Sequence, residues 1–195
     1  MNSAQPTEYA AALGTVLASF DWSPVVELSK ALAQGWSERR QLFLCGNGGS
    51  AANAIHLAND LIYGIAKDTG IGIRVTALPS NQAVLTCLGN DIGYDAIFSQ
   101  QLAVLGSRGD ILIVFSGSGN SPNILRALET ANVMGMKTYA VLGYGGGKAK
   151  ALAGTPIHFA IDDMQISEDL QMIVGHMLMK MLSNGKQPRP SIPAA

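Results

Sequence analysis

The strongest constraint on this chain is a set of short, almost uninterrupted apolar runs separated by longer stretches with helical spacing. Five occur in order: QLFLC (41–45), IRVTAL (73–78), ILIVFS (111–116), TYAVLG (138–143) and IHFAI (157–161). Runs this continuously apolar read as strands buried on both faces, where no solvated side demands alternation. Strands that alternate with helices predict a parallel sheet covered on both sides. Ahead of the first run, 7–20 and 23–38 carry apolar residues at helical spacing, and Ser23-Pro24 makes a helix opening with Pro in the first turn. The expectation is a three-layer α/β/α sandwich on a five-stranded parallel sheet. It forms one domain over 1–183 with an N-terminal helical pair and no internal linker. The last dozen residues, 184–195 (NGKQPRPSIPAA), read as a loose tail.

Composition narrows the functional classes. With 195 residues, 48% apolar and only 14% charged, the chain can build a sizeable core and is not disordered. Its net charge of −1, with no block of Lys or Arg, offers nothing to capture nucleic acid or an anionic membrane. No apolar run approaches the ~20 residues of a membrane span. The opening MNSAQPTEYA lacks the basic-then-apolar layout of a signal peptide. Cys45 and Cys87 belong to no metal or redox spacing and are expected to be small buried thiols, as suits a reducing cytoplasm.

Two segments share one plan. LFLCGNGGSAANA and ILIVFSGSGNSPNIL each run from apolar strand through a loop of Gly, Ser and Asn into a helix. In a parallel sheet both loops reach the carboxyl edge, where open α/β sheets bind ligands. Glycine lets backbone N–H groups approach a ligand, and a helix N-terminus adds free donors and a favourable dipole for an anion. Ser116, Ser118 and Ser121 add hydroxyls with no cation nearby, a combination suited to a phosphate held by neutral hydrogen bonds. Gly46–Ala51 also fits G-x-G-x-x-A, but the next strand ends in TALPSN with no acid for a ribose, and no Gly-Lys-Ser/Thr follows. No nucleotide cofactor is expected.

The ionisable residues come in pairs. His56 and Asp60 stand four apart on the helix leaving the first loop, hence on one face. Glu168 and His176 lie two turns apart on the last helix. Such groups on apolar helices are expensive to bury without purpose. They allow two chemistries beside a sugar phosphate. A carboxylate could take a proton next to a carbonyl while a histidine moves protons among oxygens, which is aldose–ketose isomerisation through an enediol. Alternatively, two histidines and two carboxylates could hold a divalent metal, zinc above all. Residue types leave both open. His158, inside a strand-like run, reads as structural. The segment EDLQMIVGHMLMKML is apolar around nearly its whole circumference, so it is either a central core helix or buried by another subunit, and the second reading is favoured.

CGNGGSAANAIHLAND, GNDIGYD, FSGSGNSPNILRALETANVMGMKTYAVLGYGGGKAKAL and the closing helix resemble the sugar isomerase (SIS) domain family, most closely its phosphoheptose isomerases. The resemblance runs from the N-terminal helices to about Leu182. It implies a flavodoxin-like fold and a cytoplasmic homotetramer with active sites at subunit interfaces. It further implies conversion of sedoheptulose 7-phosphate to D-glycero-D-manno-heptose 7-phosphate, for heptose and surface polysaccharide synthesis. Some relatives of these isomerases instead bind a replication initiator without catalysis. Carried over by position, the phosphate-binding serines fall on Ser50, Ser116, Ser118 and Ser121. Asn53 and Asn120 match amide positions in the same loops, and Asp91 matches an acidic residue at the sugar. One zinc per subunit would be held by His56, Asp60, Glu168 and His176, with Asp60, Glu168 and His176 also implied in catalysis. Two positions depart from the family: Asp60 replaces a catalytic glutamate, and Glu168 replaces a glutamine ligand. The first removes one methylene of reach, and a misplacement of about 1 Å can cost on the order of 10²-fold in rate. The second adds a negative charge, which would tighten a divalent cation but crowd another carboxylate.

Overall fold

In a computed structural model of the chain, which describes residues 4–184, the five apolar runs form one parallel sheet. Its strands are β1 (Leu42–Cys45), β2 (Val75–Ala77), β3 (Ile111–Ser116), β4 (Lys137–Leu142) and β5 (Thr155–His158), in the spatial order β2-β1-β3-β4-β5. The helices are α1 (Ala4–Ser19), α2 (Ser23–Ser37), α3 (Gly49–Asn59), α4 (Ala66–Thr69), α5 (Gln82–Asp91), α6 (Ser99–Leu105), α7 (Pro122–Val133), α8 (Ala149–Leu152) and α9 (Met164–Asn184). Asn184 closes α9, and the tail expected beyond it lies outside the described residues.

The continuous apolar runs separate cleanly by the two-residue period of a strand. Leu42, Leu44, Ile111, Ile113 and Phe115 point into one layer with α2, α3 and α9. Phe43, Cys45, Leu112 and Val114 point into the other, against α6 and α7. Both layers are apolar, and the one polar residue of these two strands, Ser116, sits at the carboxyl end of β3. β5 starts two residues earlier than its apolar run suggests and stops at His158. Pro156 fits there because β5 pairs only with β4, so the missing N–H can face away from the sheet.

The last helix enters the chain's own core along one stripe, and the expectation for one cysteine is revised. Helix α9 buries Ile166, Leu170, Val174, Leu178 and Leu182, one residue per turn, in the chain's own core against α2 and α3. It is thus a core helix along one stripe, and Met164 and Met181 on other faces are 37% and 38% exposed. Cys45 is buried as expected, but Cys87 is exposed, because α5 has no buried residue. Among the described residues no helix is long and apolar enough to cross a membrane.

Candidate active site

The sheet order changes direction between β1 and β3, whose carboxyl ends carry the two glycine-rich loops side by side. After β1 the chain turns through Gly48 at φ 54° and ψ −122°, a conformation a side chain would strain, and enters α3 without a side-chain cap. After β3 it passes Gly119 at φ 65°, where a Cβ would overlap the Gly146 carbonyl of the loop following β4. Ser121 then occupies the N-cap of α7, yet its hydroxyl makes no cap bond. Two helix N-termini therefore converge here with no hydrogen bond from either N-cap side chain, an arrangement that attracts an anion.

Between the loops lies a cavity of about 290 Å³ lined by Gly49, Ser50, Ser116, Ser118, Ser121 and Glu168, among others. Two of the hydroxyls are held in place. Buried Ser50 accepts a hydrogen bond from Gln171 Nε2 at 3.0 Å, and buried Ser116 accepts one from the Gly119 N–H at 3.1 Å. Among the described residues no lysine or arginine lines the cavity. The sequence reading missed the pair that fixes the loops to each other. Asn47 and Asn123 exchange amide hydrogen bonds of 2.9 and 2.7 Å, and Tyr94 Oη donates to Asn47 Oδ1 at 3.1 Å. The only signal available in sequence was an Asn in each loop–helix junction, which is also ordinary turn composition.

Three expected ligand residues stand outside this cavity. Asn53 spends its amide on the Glu168 carbonyl and on Gln171 Oε1, both at 3.0 Å, and so fastens α3 to α9. Asn120 donates to the Ser118 carbonyl and accepts the Lys148 N–H, bracing its own loop. Asp91 ends α5, where it accepts from Asn90 Nδ2 at 2.7 Å and from the Cys87 thiol at 3.4 Å. That hydrogen bond and the adjacent carboxylate charge push the Cys87 thiol above its ordinary range. His158 meets the Tyr144 carbonyl at 2.8 Å, a satisfied structural role.

The second group of ionisable residues is a compact cluster of His56, Asp60 and His176. Helices α3 and α9 run parallel, with Asn53 against Gln171 and His56 against His176, so one register brings all three together. Asp60 Oδ2 lies 3.3 Å from His56 Nε2 and 3.6 Å from His176 Nε2, and the two Nε2 atoms are 3.4 Å apart. Two ligands bound at about 2.0–2.1 Å to one tetrahedral zinc stand roughly 3.3–3.4 Å from each other. The donor set and its spacing therefore fit such an ion with a fourth position open. Asp60 begins a π turn over Asp60–Gly64 that widens the end of α3, a device common at functional sites.

Glu168, expected beside the histidines, is elsewhere. Eight residues of helix separate it from His176 by about 12 Å along α9. The parallel register sets it opposite Gly49 at the cavity, where a Cβ on that glycine would overlap both carboxylate oxygens.

Comparison with known proteins agrees with this architecture. A family model described as the SIS domain matches residues 8–143. The phosphoheptose isomerase of Aliarcobacter butzleri is 35% identical over 161 residues, 83% of this chain and 85% of the relative. That of Aeromonas hydrophila is 37% identical over 180 residues, 90% of this chain and 92% of the relative. Among solved structures, phosphoheptose isomerase from Francisella tularensis superposes with a TM-score of 0.88 at 26% identity, covering 95% of this chain and 100% of the other. GmhA from Neisseria gonorrhoeae gives 0.83 at 28% identity, covering 94% and 97%.

Proposed function

The chain belongs to the SIS domain family and, within it, to the phosphoheptose isomerases, and from that premise we propose that it interconverts sedoheptulose 7-phosphate and D-glycero-D-manno-heptose 7-phosphate. The coarser statement, an aldose–ketose isomerase of a phosphorylated sugar, comes with the family. Heptose supply for surface polysaccharide is the pathway we assign to it. The observation that carries the reading is the pairing of a serine-lined cavity at two helix N-termini with a separate His56–Asp60–His176 cluster.

In this reading the phosphate enters between the N-termini of α3 and α7. It accepts hydrogen bonds from Ser118, Ser121 and backbone N–H groups, while Ser50 and Ser116, buried and braced, shape the floor. Asp60 acts as the base that takes the proton from the carbon next to the carbonyl. His176 carries the proton between the two oxygens of the enediol. Both lie within reach of one reacting centre, since Asp60 Oδ2 and His176 Nε2 are 3.6 Å apart. One zinc per subunit, were it held by His56, Asp60 and His176, would polarise the carbonyl and stabilise the enediolate oxygen in place of proton transfer by the His176 Nε2 that binds it, leaving the second Asp60 oxygen as the base. Asn53 and Asn120 serve as positioning residues through the bonds described above, and Asp91 is assigned a sugar hydroxyl on the strength of the family resemblance alone.

We also propose a homotetramer in which a neighbouring copy closes the site. His56 and His176 side chains are each 52% exposed, and Ile55, Ile62 and Tyr63, on the same stretch of chain as His56 and Asp60, are 43%, 51% and 63% exposed. Large apolar side chains left exposed on the stretch that carries an ionisable cluster suit an interface better than water.

The test is hydrogen exchange. The purified protein, with and without zinc, is incubated with sedoheptulose 7-phosphate in deuterated water and the products are read by mass spectrometry. Deuterium at the carbon beside the carbonyl is the expected result. No exchange with any of a panel of sugar phosphates would leave a binding protein of the same family and remove the isomerase reading.

A further inference from the structure

On the reading of the cavity as a phosphate cradle, we propose that the Glu168 carboxylate is its built-in occupant, an internal anion that the substrate's phosphate must displace. Glu168 lines the cavity together with Ser50, Ser116, Ser118 and Ser121. Its two oxygens sit on Gly49, in room that exists only because that residue has no Cβ. Gly49 is also the first residue of α3, whose N-terminus no side chain caps, so the positive end of the helix dipole faces the carboxylate. The root of the side chain is fixed as well, since the Glu168 carbonyl accepts the Asn53 amide at 3.0 Å. A carboxylate thus already stands on the ground that a phosphate would take.

The two anions cannot share the cavity. Among the described residues no lysine or arginine lines it to balance a carboxylate beside a phosphate dianion. Like charges a few ångströms apart in a partly desolvated site repel strongly. Phosphate therefore binds only the fraction of molecules in which Glu168 has swung out, and its apparent affinity is lowered by that fraction. Because this factor belongs to the protein, it applies equally to inorganic phosphate and to a phosphorylated sugar.

The test is calorimetric titration of the full chain with inorganic phosphate and, separately, with sedoheptulose 7-phosphate. E168Q keeps the shape and removes the charge, and is expected to tighten both ligands by the same factor, roughly tenfold or more. E168A, which removes the carboxylate altogether, should follow it, and S118A/S121A in the E168Q background should abolish the gain. Equal affinities in wild type and both Glu168 variants overturn the plug while leaving the cradle standing. Absence of any phosphate binding in all three overturns the cradle and the plug with it. Weaker sugar phosphate binding in E168Q would also overturn the plug, since it would make the carboxylate a ligand of the substrate.

Discussion

Asn123 offers the most direct measure of how the two loops are held. It is 1% exposed in the first turn of α7, donates to Asn47 Oδ1 at 2.7 Å and accepts from Asn47 Nδ2 at 2.9 Å. It also accepts the Ile124 N–H at 3.0 Å, but that donor has the Ser121 carbonyl as a second partner at 3.0 Å. Asn123→Ala therefore deletes two bonds without substitute. At a net contribution of about 0.5–1.5 kcal/mol each, the expected loss is roughly 1–3 kcal/mol. Urea denaturation followed by circular dichroism reads it directly. Asn123→Asp keeps the shape but cannot donate to Asn47, so it should lose a similar amount and weaken phosphate binding. Tyr94→Phe removes only an exposed bond to the same network and should stay within about 0.5 kcal/mol of wild type. If Asn123→Ala costs less than about 0.5 kcal/mol and leaves phosphate affinity unchanged, the amide pair does not set the spacing of the loops and the reasoning fails.

Leu170→Ala empties a fully buried position between α9 and the sheet and should cost about 2–5 kcal/mol in the same denaturation assay. His176→Ala should lower zinc affinity, measured by competition with a chelating dye, at least roughly 100-fold, more than loss of an outer-shell partner would. Cys87 should alkylate slowly at neutral pH because Asp91 holds its thiol up; Asp91→Asn should move the pH–rate curve to lower pH, and Cys45 should react only on unfolding. Tyr9 donates to Asp169 at 2.6 Å, which pushes its phenol up to about 12. The folded state then binds this proton more tightly than the unfolded chain. The contact stabilises fully below the ordinary tyrosine value of about 10 and is lost as pH rises toward 12. Tyr9→Phe should flatten that part of the stability–pH curve.

The layered architecture was legible because β1 is apolar at every position and β3 at all but its last, Ser116, and only burial on both faces explains that. What sequence reading could not settle was which neighbour covers an apolar helix. For α9, burial by another subunit and burial in its own core predict the same composition. The structure favours the second along the stripe from Ile166 to Leu182 because α2 and α3 leave a groove there. Cys87 failed for the complementary reason. Its helix carries apolar residues, but Leu85 and Leu88 reach only partial burial, and the thiol points away from them toward Asp91. Local pattern states that a residue prefers burial; it does not state that the fold has room.

At the site, the spacing of His56 and Asp60 announced a shared helix face, but His176 joins them only through the parallel register of α3 and α9, a tertiary fact. The same register explains why the two departures from the family carry different weight. Asp60 is one methylene short, yet the cluster has not opened, since its oxygen still stands 3.3 and 3.6 Å from the two imidazoles. The π turn that starts at Asp60 lies where such an adjustment of the helix would act. Glu168 is a change of charge instead of reach, and two turns of α9 take that charge to Gly49 and away from the histidines. On the proposed reading, the shortened residue leaves the proton-transferring group in place, while the charged one bears on how the phosphate is admitted. A chain altered in this way would keep the means to isomerise and change the terms on which it binds its substrate.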